Sequence, residues 1–561
     1  MLREAIGADD PDKVAQAIAR SADLHHTDAD GMQPVHTAAK EGYLEALKTL
    51  LSLGADVETE AVNDKSSRPL HLACEHKRPR TAKHLIEVAK ADIHAPDTTG
   101  NKPLNRAAIK GDLQIIKLLL AAGADIEWVG VWGWHPLHHA AGNLQILATQ
   151  LLLQRGADLE AENTNGETAL HIAAEYGAAA IIELLISKGA QLDAINHTGD
   201  QPLIKAVSKG KTVATDILLK RGADIEAFES KGGTASLVAA EKGTLPVAEI
   251  LLARGARLTA IDKESNQPLH LAVTYGHLQL VKLMVEHNAD IEARGASVGL
   301  NYGADQGDQP LHVGTRWNQD AMVKELPTAG ADIEARGEHN QTALHIAAEV
   351  SNESVVRVLL DHNADYDAWM GNDTPLHRAA IVNKVDNGRA LIKAGVPWDQ
   401  ESKLGDQAIH LAALKAHSAF IGMLLDHGAD IYVYNRGRGS FPLLTAAAYG
   451  QTECVKYILT KSPILEQRTL NGDNPLILAC WNQHIDNVKL LLKAGAEINT
   501  TSEAGISPLH CAVSKNNLEI TRVLVESGVD LTLNTYQWRP LETAENLKFE
   551  EMAKILRNAA K

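Results

Sequence analysis

The chain has 561 residues, is 45% apolar and 22% charged, and carries a formal net charge of −17. That acidity excludes a general nucleic-acid binder, which needs a basic face for phosphates, and argues against docking on anionic lipid. The length exceeds one compact domain and implies either several domains or a repeat array.

Four cysteines, Cys74, Cys454, Cys480 and Cys511, lie far apart and form no C-x-x-C pair. They do not read as a disulfide framework and point to a reducing compartment. The opening stretch MLREAIGADD has no apolar h-region, so no signal peptide is expected. No run of 18 apolar residues occurs, so membrane insertion is not expected either. A cytoplasmic protein is the expectation, with nuclear access left open.

The chain is one unit written many times. A tetrapeptide like T-P-L-H has its second position at Pro34, Pro69, Pro103, Pro136, Ala169, Pro202, Ala235, Pro268, Pro310, Ala343, Pro375, Ala408, Pro442, Pro475, Pro508 and Pro540. Successive gaps are 32 to 35 residues, except 42 between Pro268 and Pro310. Each unit reads as a short helix opened by Pro, a turn at Gly or Asn, and a second apolar helix. A G-A-D-I piece then leads into the next turn. Neither helix buries its apolar face alone, so stacking must supply the core. Ala5, Val14 and Asp23 match the spacing of Ala272, Val281 and Asp290 and mark a partial first copy. The boundaries follow. Residues 1–30 are a partial N-terminal capping repeat and 31–294 are repeats 1–8. Residues 295–308 are an insertion in a finger, 309–538 are repeats 9–15, and 539–561 are a C-terminal capping repeat.

"TPLH", "LAA" and "GADIEA" recurring in this way resemble the ankyrin repeat family over essentially the whole chain. The resemblance implies an all-α repeat solenoid of helix–loop–helix units with β-hairpin fingers, wound into a curved superhelix. It implies a concave binding face of inner helices and fingers, and a protein-binding scaffold. It also implies that the histidine of the tetrapeptide bonds within its own unit.

Departures from the repeat mark candidate function, taken in chain order. The stretch EWVGVWGWHPLHHAAGN puts Trp128, Trp132 and Trp134 on one finger, followed by His135, His138 and His139. The indoles either pack over neighbouring fingers or anchor a partner. Zinc would need a fourth ligand that the sequence does not offer. Next, Tyr176, Tyr275, Trp317 and Tyr449 share one register at the end of the first helix, and Trp481 lies one position earlier. Around Pro310 an extra nine or so residues enter near Arg294–Gln309, Gly314 and Thr315 replace the usual small pair, and Arg316 precedes Trp317. Pro327 is expected to end or kink the second helix there. These departures suggest a hinge, a binding loop or both, against a repeat that bulges harmlessly. Finally, Tyr434, Arg436 and Arg438 in YVYNRGRGSFP could receive a carboxylate or phosphate.

Catalytic patterns are weak. Gly295–Gly299 matches G-x-S-x-G literally but lies in the insertion, where no strand-to-helix elbow is expected. Ten of the 25 histidines follow the repeat period (His36, His71, His138, His171, His270, His312, His345, His377, His410 and His510), so their number needs no catalysis. The expected role is non-catalytic recognition of protein partners bearing basic or mixed-charge segments, with no cofactor and no metal. The alternative is an enzyme or small-molecule binder with a pocket near the Trp128–His139 finger or the Arg294–Trp317 segment.

Overall fold

The computed structural model describes residues 2–62, 65–229, 232–295, 307–534 and 539–561. Thirty-four α-helices and two short 3-10 turns lie among them. Every tetrapeptide position from Pro34 to Pro540 is the first residue of an inner helix. The first copy is a full helix pair, Leu2–Gly7 and Pro11–Ala19, with Ala5 and Val14 buried. The chain divides into two compact units, Met1–Asp290 and Ile291–Lys561, each a stack of helix pairs.

The inner helices after the first copy have only seven or eight residues, too few to persist alone. Two things hold them. Pro in the first position removes a donor that has no helical partner. A side chain at the third helical position then caps the end. In all ten motif histidines Nδ1 accepts the N-cap amide N–H, at 3.0–3.4 Å. An accepting Nδ1 carries no proton, so the proton sits on Nε2. In most copies it donates onward, from His36 to the Thr59 carbonyl at 2.9 Å and from His138 to the Glu167 carbonyl at 2.9 Å. Asn105 does the same job, with Oδ1 accepting from Lys102 N at 3.2 Å and Nδ2 donating to the Trp134 carbonyl.

Alanine pairs such as Ala107–Ala108, Ala140–Ala141 and Ala173–Ala174 are fully buried. Their small size lets inner helices pack on one another more extensively than outer helices do. Outer helices bury Leu, Ile and Val at helical spacing, as Ile115, Ile116 and Leu119 show. Pro327 does not break its helix. It occupies the last turn of Asp320–Thr328, which keeps nine residues like nearly every other outer helix. Only one helical residue follows it, so the usual end is merely reached.

The fingers are tight turns. Among the described residues no strand forms, and pairing is limited to four isolated antiparallel bridges, such as Phe228 with Thr234. Each loop closes on one short bond, as from Asp97 N to the Asn101 carbonyl at 3.0 Å. Neighbouring fingers also join directly, for example Thr164 N to the Trp132 carbonyl at 3.0 Å. The periodic glutamates form a second ladder. Glu58, Glu127, Glu160 and Glu226 each accept a backbone N–H from the following repeat, at 2.7–3.0 Å. These periodic acids therefore also serve as joints between repeats. Residues 296–306, which include most of the insertion and all but the first residue of Gly295–Gly299, lie outside the described residues.

The caps make stability depend on acid. Burial first, then nearby charges and bonds, pushes His71, His138 and His345 down to about 4. Their unfolded value is about 6.5, so between 6.5 and 4 the unfolded chain binds more protons than the fold. Stability is complete above 6.5 and falls as the pH drops toward 4, by up to about 1.4 kcal/mol per pH unit for each such histidine. Denaturant midpoints at pH 7 and pH 5 will show this loss, and His138→Asn will reduce it while leaving the pH 7 midpoint nearly unchanged. A second prediction concerns Arg106, buried with Asp97, whose Oδ2 lies 2.8 Å from Arg106 Nε. Burial alone would raise the Asp97 carboxyl, but bonds from Thr99 and Arg106 hold it below its ordinary value. Arg106→Met strands that carboxylate and should cost about 3–5 kcal/mol in the same measurement.

Candidate functional site

The tryptophan finger splits three ways. Most fingers place a turn acceptor at its head, as Asp97 does for Thr99 N and Asn101 N at 2.8 and 3.0 Å. Here that place is Gly130, and the turn tightens to the 3-10 segment Val131–Gly133 with Trp132 at φ 58°. Gly337 produces the same result at Glu338–Asn340, with His339 at φ 55°. The Trp132 carbonyl serves the finger ladder, while its indole is 73% exposed. Trp128 turns back onto the preceding finger. Its Nε1 donates to the Gly100 carbonyl at 3.0 Å, and Lys102 Nζ lies 3.2 Å from its ring centroid. Trp134 covers the inner helix Pro136–Gly142, with its ring 5.2 Å from that of His139.

The histidines of this finger are engaged locally. His135 Nδ1 lies 3.1 Å from Glu127 Oε2, and the other carboxylate oxygen of Glu127 accepts from Asp158 N. His138 is the helix cap described above. His139 Nε2 reaches Asn101 Oδ1 at 3.2 Å, and burial, then His138 and Arg106, push its ring down to about 3. His138 and His139 are therefore neutral packing and bonding groups at neutral pH.

The aromatic row stands free. Tyr176, Tyr275, Trp317, Tyr449 and Trp481 end their inner helices and are 44–57% exposed. Tyr275 stacks on His277 at 6.4 Å, and Lys515 Nζ lies 4.3 Å from the Trp481 ring centroid. Tyr176 and Tyr275 belong to the first unit, the other three to the second. Arg316 is not free beside Trp317. Its Nη2 meets the buried Asp308 at 2.8 Å.

The late finger divides likewise. Tyr434 packs on Phe441 with ring centroids 5.1 Å apart. Arg438 Nε donates to the buried Asp406 at 3.0 Å, and Arg436 remains exposed. Arg436 and Arg438 border an open cleft of about 570 Å³ with Glu401–Gly405.

Two features escaped the reading of the sequence. Ile195, Phe228 and Ile261 form an exposed row across three successive fingers. Their 33-residue spacing was the available signal. The second is a cleft of about 550 Å³ walled by Ile477, Leu478, Trp481, Ile506 and Cys511, with Asp473 and Glu503 at its polar side. No motif announces it, because its walls come from two repeats.

Comparison with known proteins agrees with this architecture. A family model described as ankyrin repeats (3 copies) matches residues 2–97, 70–163, 147–229, 226–295, 294–370, 311–402 and 409–502. A second, ankyrin repeats (many copies), matches 482–525. The mouse B-cell lymphoma 3 protein homolog is 32% identical over 220 residues, covering 37% of this chain and 49% of that protein. The chicken nuclear factor NF-kappa-B p105 subunit is 30% identical over 201 residues, covering 35% of this chain and 20% of that protein. The chain thus matches half or less of these relatives' length. The crystal structure of the human ASB11 ankyrin repeat domain is 28% identical, with a TM-score of 0.36, covering 41% of this chain and 98% of that one. With the family models running through both units and every helix pair in register, the chain belongs to the ankyrin repeat family.

Proposed function

We propose that the chain is a non-catalytic scaffold that recognises a polypeptide through its inner-helix ends and fingers. One observation carries the reading: the row of exposed aromatics at the inner-helix ends. Aromatics are only 4% of the chain, and the helical core is built from Ala, Leu, Ile and Val instead. A Tyr or Trp held half out of water on a rigid helix end supplies contact area at small ordering cost. The acidic surround favours partners with basic or mixed-charge segments by steering their approach. Trp132 adds a further anchor on the finger side, and Arg436 adds a mixed-charge contact point.

The test is affinity capture from native lysate with the full chain, followed by titration of the captured protein after purification. Tyr275→Ala with Tyr449→Ala should weaken that purified partner by about tenfold or more, since truncating a hot-spot aromatic costs about 2 kcal/mol. The melting temperature should stay within about one degree, because exposed side chains contribute little core. Trp132→Ala should behave in the same way. Trp128→Ala should instead lower the melting temperature, because it removes the bond to Gly100 and uncovers Lys102. Equal partner affinity in wild type and the tyrosine double variant would assign the row to the scaffold and sink the proposal.

A further inference from the structure

The second unit carries a cleft where an acid stands without the cation that other copies supply. The stacks repeat one ion-pair device. An acidic residue six positions after the helix-start residue meets a cation three positions into the next inner helix. Glu75 meets Arg106 at 3.2 Å, Glu175 meets Lys205 at 3.2 Å, and Glu349 meets Arg378 at 2.7 Å. A second cation, seven positions in, joins the same acid: Lys110 reaches Glu75 at 3.7 Å and Lys209 reaches Glu175 at 3.1 Å. Lys205 also meets Glu167, two positions before its own helix start, at 2.7 Å.

The same three places in the repeats starting at Pro475 and Pro508 hold different residues. Asp473 stands where Glu167 stands, Trp481 where Glu175 stands, and Cys511 where Lys205 stands. Lys515 occupies the place of Lys209 and keeps its contact, now with the indole. Cys511 is too short to fill the space of a lysine, and the cleft of about 550 Å³ is what remains. Burial raises the Asp473 carboxyl, with Arg468 acting against it. Arg468 itself donates to the Gly472 and Thr501 carbonyls. Asp473 forms no ion pair with any described residue, unlike Glu167, Asp308 and Asp406 at the same register. Burial and then Asp473 push Cys511 up to about 12, and both residues line the cleft.

We infer that this cleft binds a lysine side chain of a partner polypeptide. The aliphatic stem lies along Ile477, Ile506 and the Trp481 ring, and the ammonium meets the Asp473 carboxylate and the indole face. A carboxylate and an indole together suit an ammonium, one by charge and one by its ring quadrupole. Glu75 and Glu175 each gather two cations at one junction, so Lys515 on the indole is compatible with a second ammonium at Asp473. The inference rests on the protein-binding reading and names the partner's chemistry at one site.

The test uses the full chain labelled with 5-fluorotryptophan, the Trp481 resonance being assigned with Trp481→Phe. The probes are acetyl-Ala-Ala-Lys-Ala-Ala-amide and the same peptide with norleucine. The lysine peptide should shift the Trp481 resonance and the norleucine peptide should not. Asp473→Asn should weaken the response about tenfold or more, the scale of one lost charge pair. Cys511→Lys should move the resonance without peptide and abolish the response, because its own ammonium fills the cradle. Should Cys511→Lys fail to fold, Asp473→Asn decides alone. No shift with the lysine peptide, equal shifts by both peptides, or an unchanged response in Asp473→Asn overturns the cradle. Partner loss in the Tyr275 and Tyr449 variants is read separately, so either idea can fail while the other stands.

Discussion

One bond pattern recurs through most of the array: the N-cap amide of an inner helix donating into a side chain three residues on, a place that only Ile204, Leu237, Leu444 and Ile477 leave apolar after the first copy. A seven-residue helix has almost no stability of its own, and its first amides lack helical partners. An imidazole solves both problems at once. Nδ1 satisfies the local amide, and the fixed proton on Nε2 reaches a carbonyl further along the chain. The ring thereby joins helix start and following loop in one neutral group. Tyr176, Tyr275 and Trp317 end helices fixed by this cap, whereas Tyr449 and Trp481 end helices without it.

The same logic explains where part of the chain's charge is engaged. Periodic glutamates accept amides from the next repeat. Acids at the inner-helix ends hold cations from the next inner helix. A carboxylate engaged by backbone or guanidinium offers less to a partner than one without such a contact. The places that interrupt these ladders are therefore the informative ones. Trp132 interrupts a finger turn, and Trp481 with Cys511 interrupts an ion-pair chain.

The fold was legible because its signal is redundant. Sixteen copies of one tetrapeptide fix sixteen helix starts, and an error at one copy is corrected by its neighbours. Pro327 shows the limit. A rule about proline says that it disrupts a helix, but the outcome depends on its distance from the helix end, which the rule does not contain. Of the site, register was legible and engagement was not. Tyr275 and Tyr449 stand exposed where their spacing puts them. Arg316 and Arg438 lie as near their aromatic neighbours in sequence, yet both are held by buried aspartates, Asp308 and Asp406. Those partners lie 8 and 32 residues away, and a list of exposed cations cannot contain them.

A repeat protein carries its own controls for reading such sites. In an ordinary domain a carboxylate, an indole and a small thiol around a cleft have no internal standard. Here the same backbone geometry occurs elsewhere in the chain with glutamates and a lysine in those places. The earlier copy shows which group the geometry accepts and how close it comes. The later copy keeps one of the two acids, Asp473, exchanges the other for Trp481, and replaces the lysine by the shorter Cys511. Loss of packing alone would predict an apolar replacement on both sides. Asp200 shows that an acid at this register can also stand without a cation from the described residues, so it is the combination of Asp473 with Trp481 around one cleft that gives a chemical preference rather than only a shape.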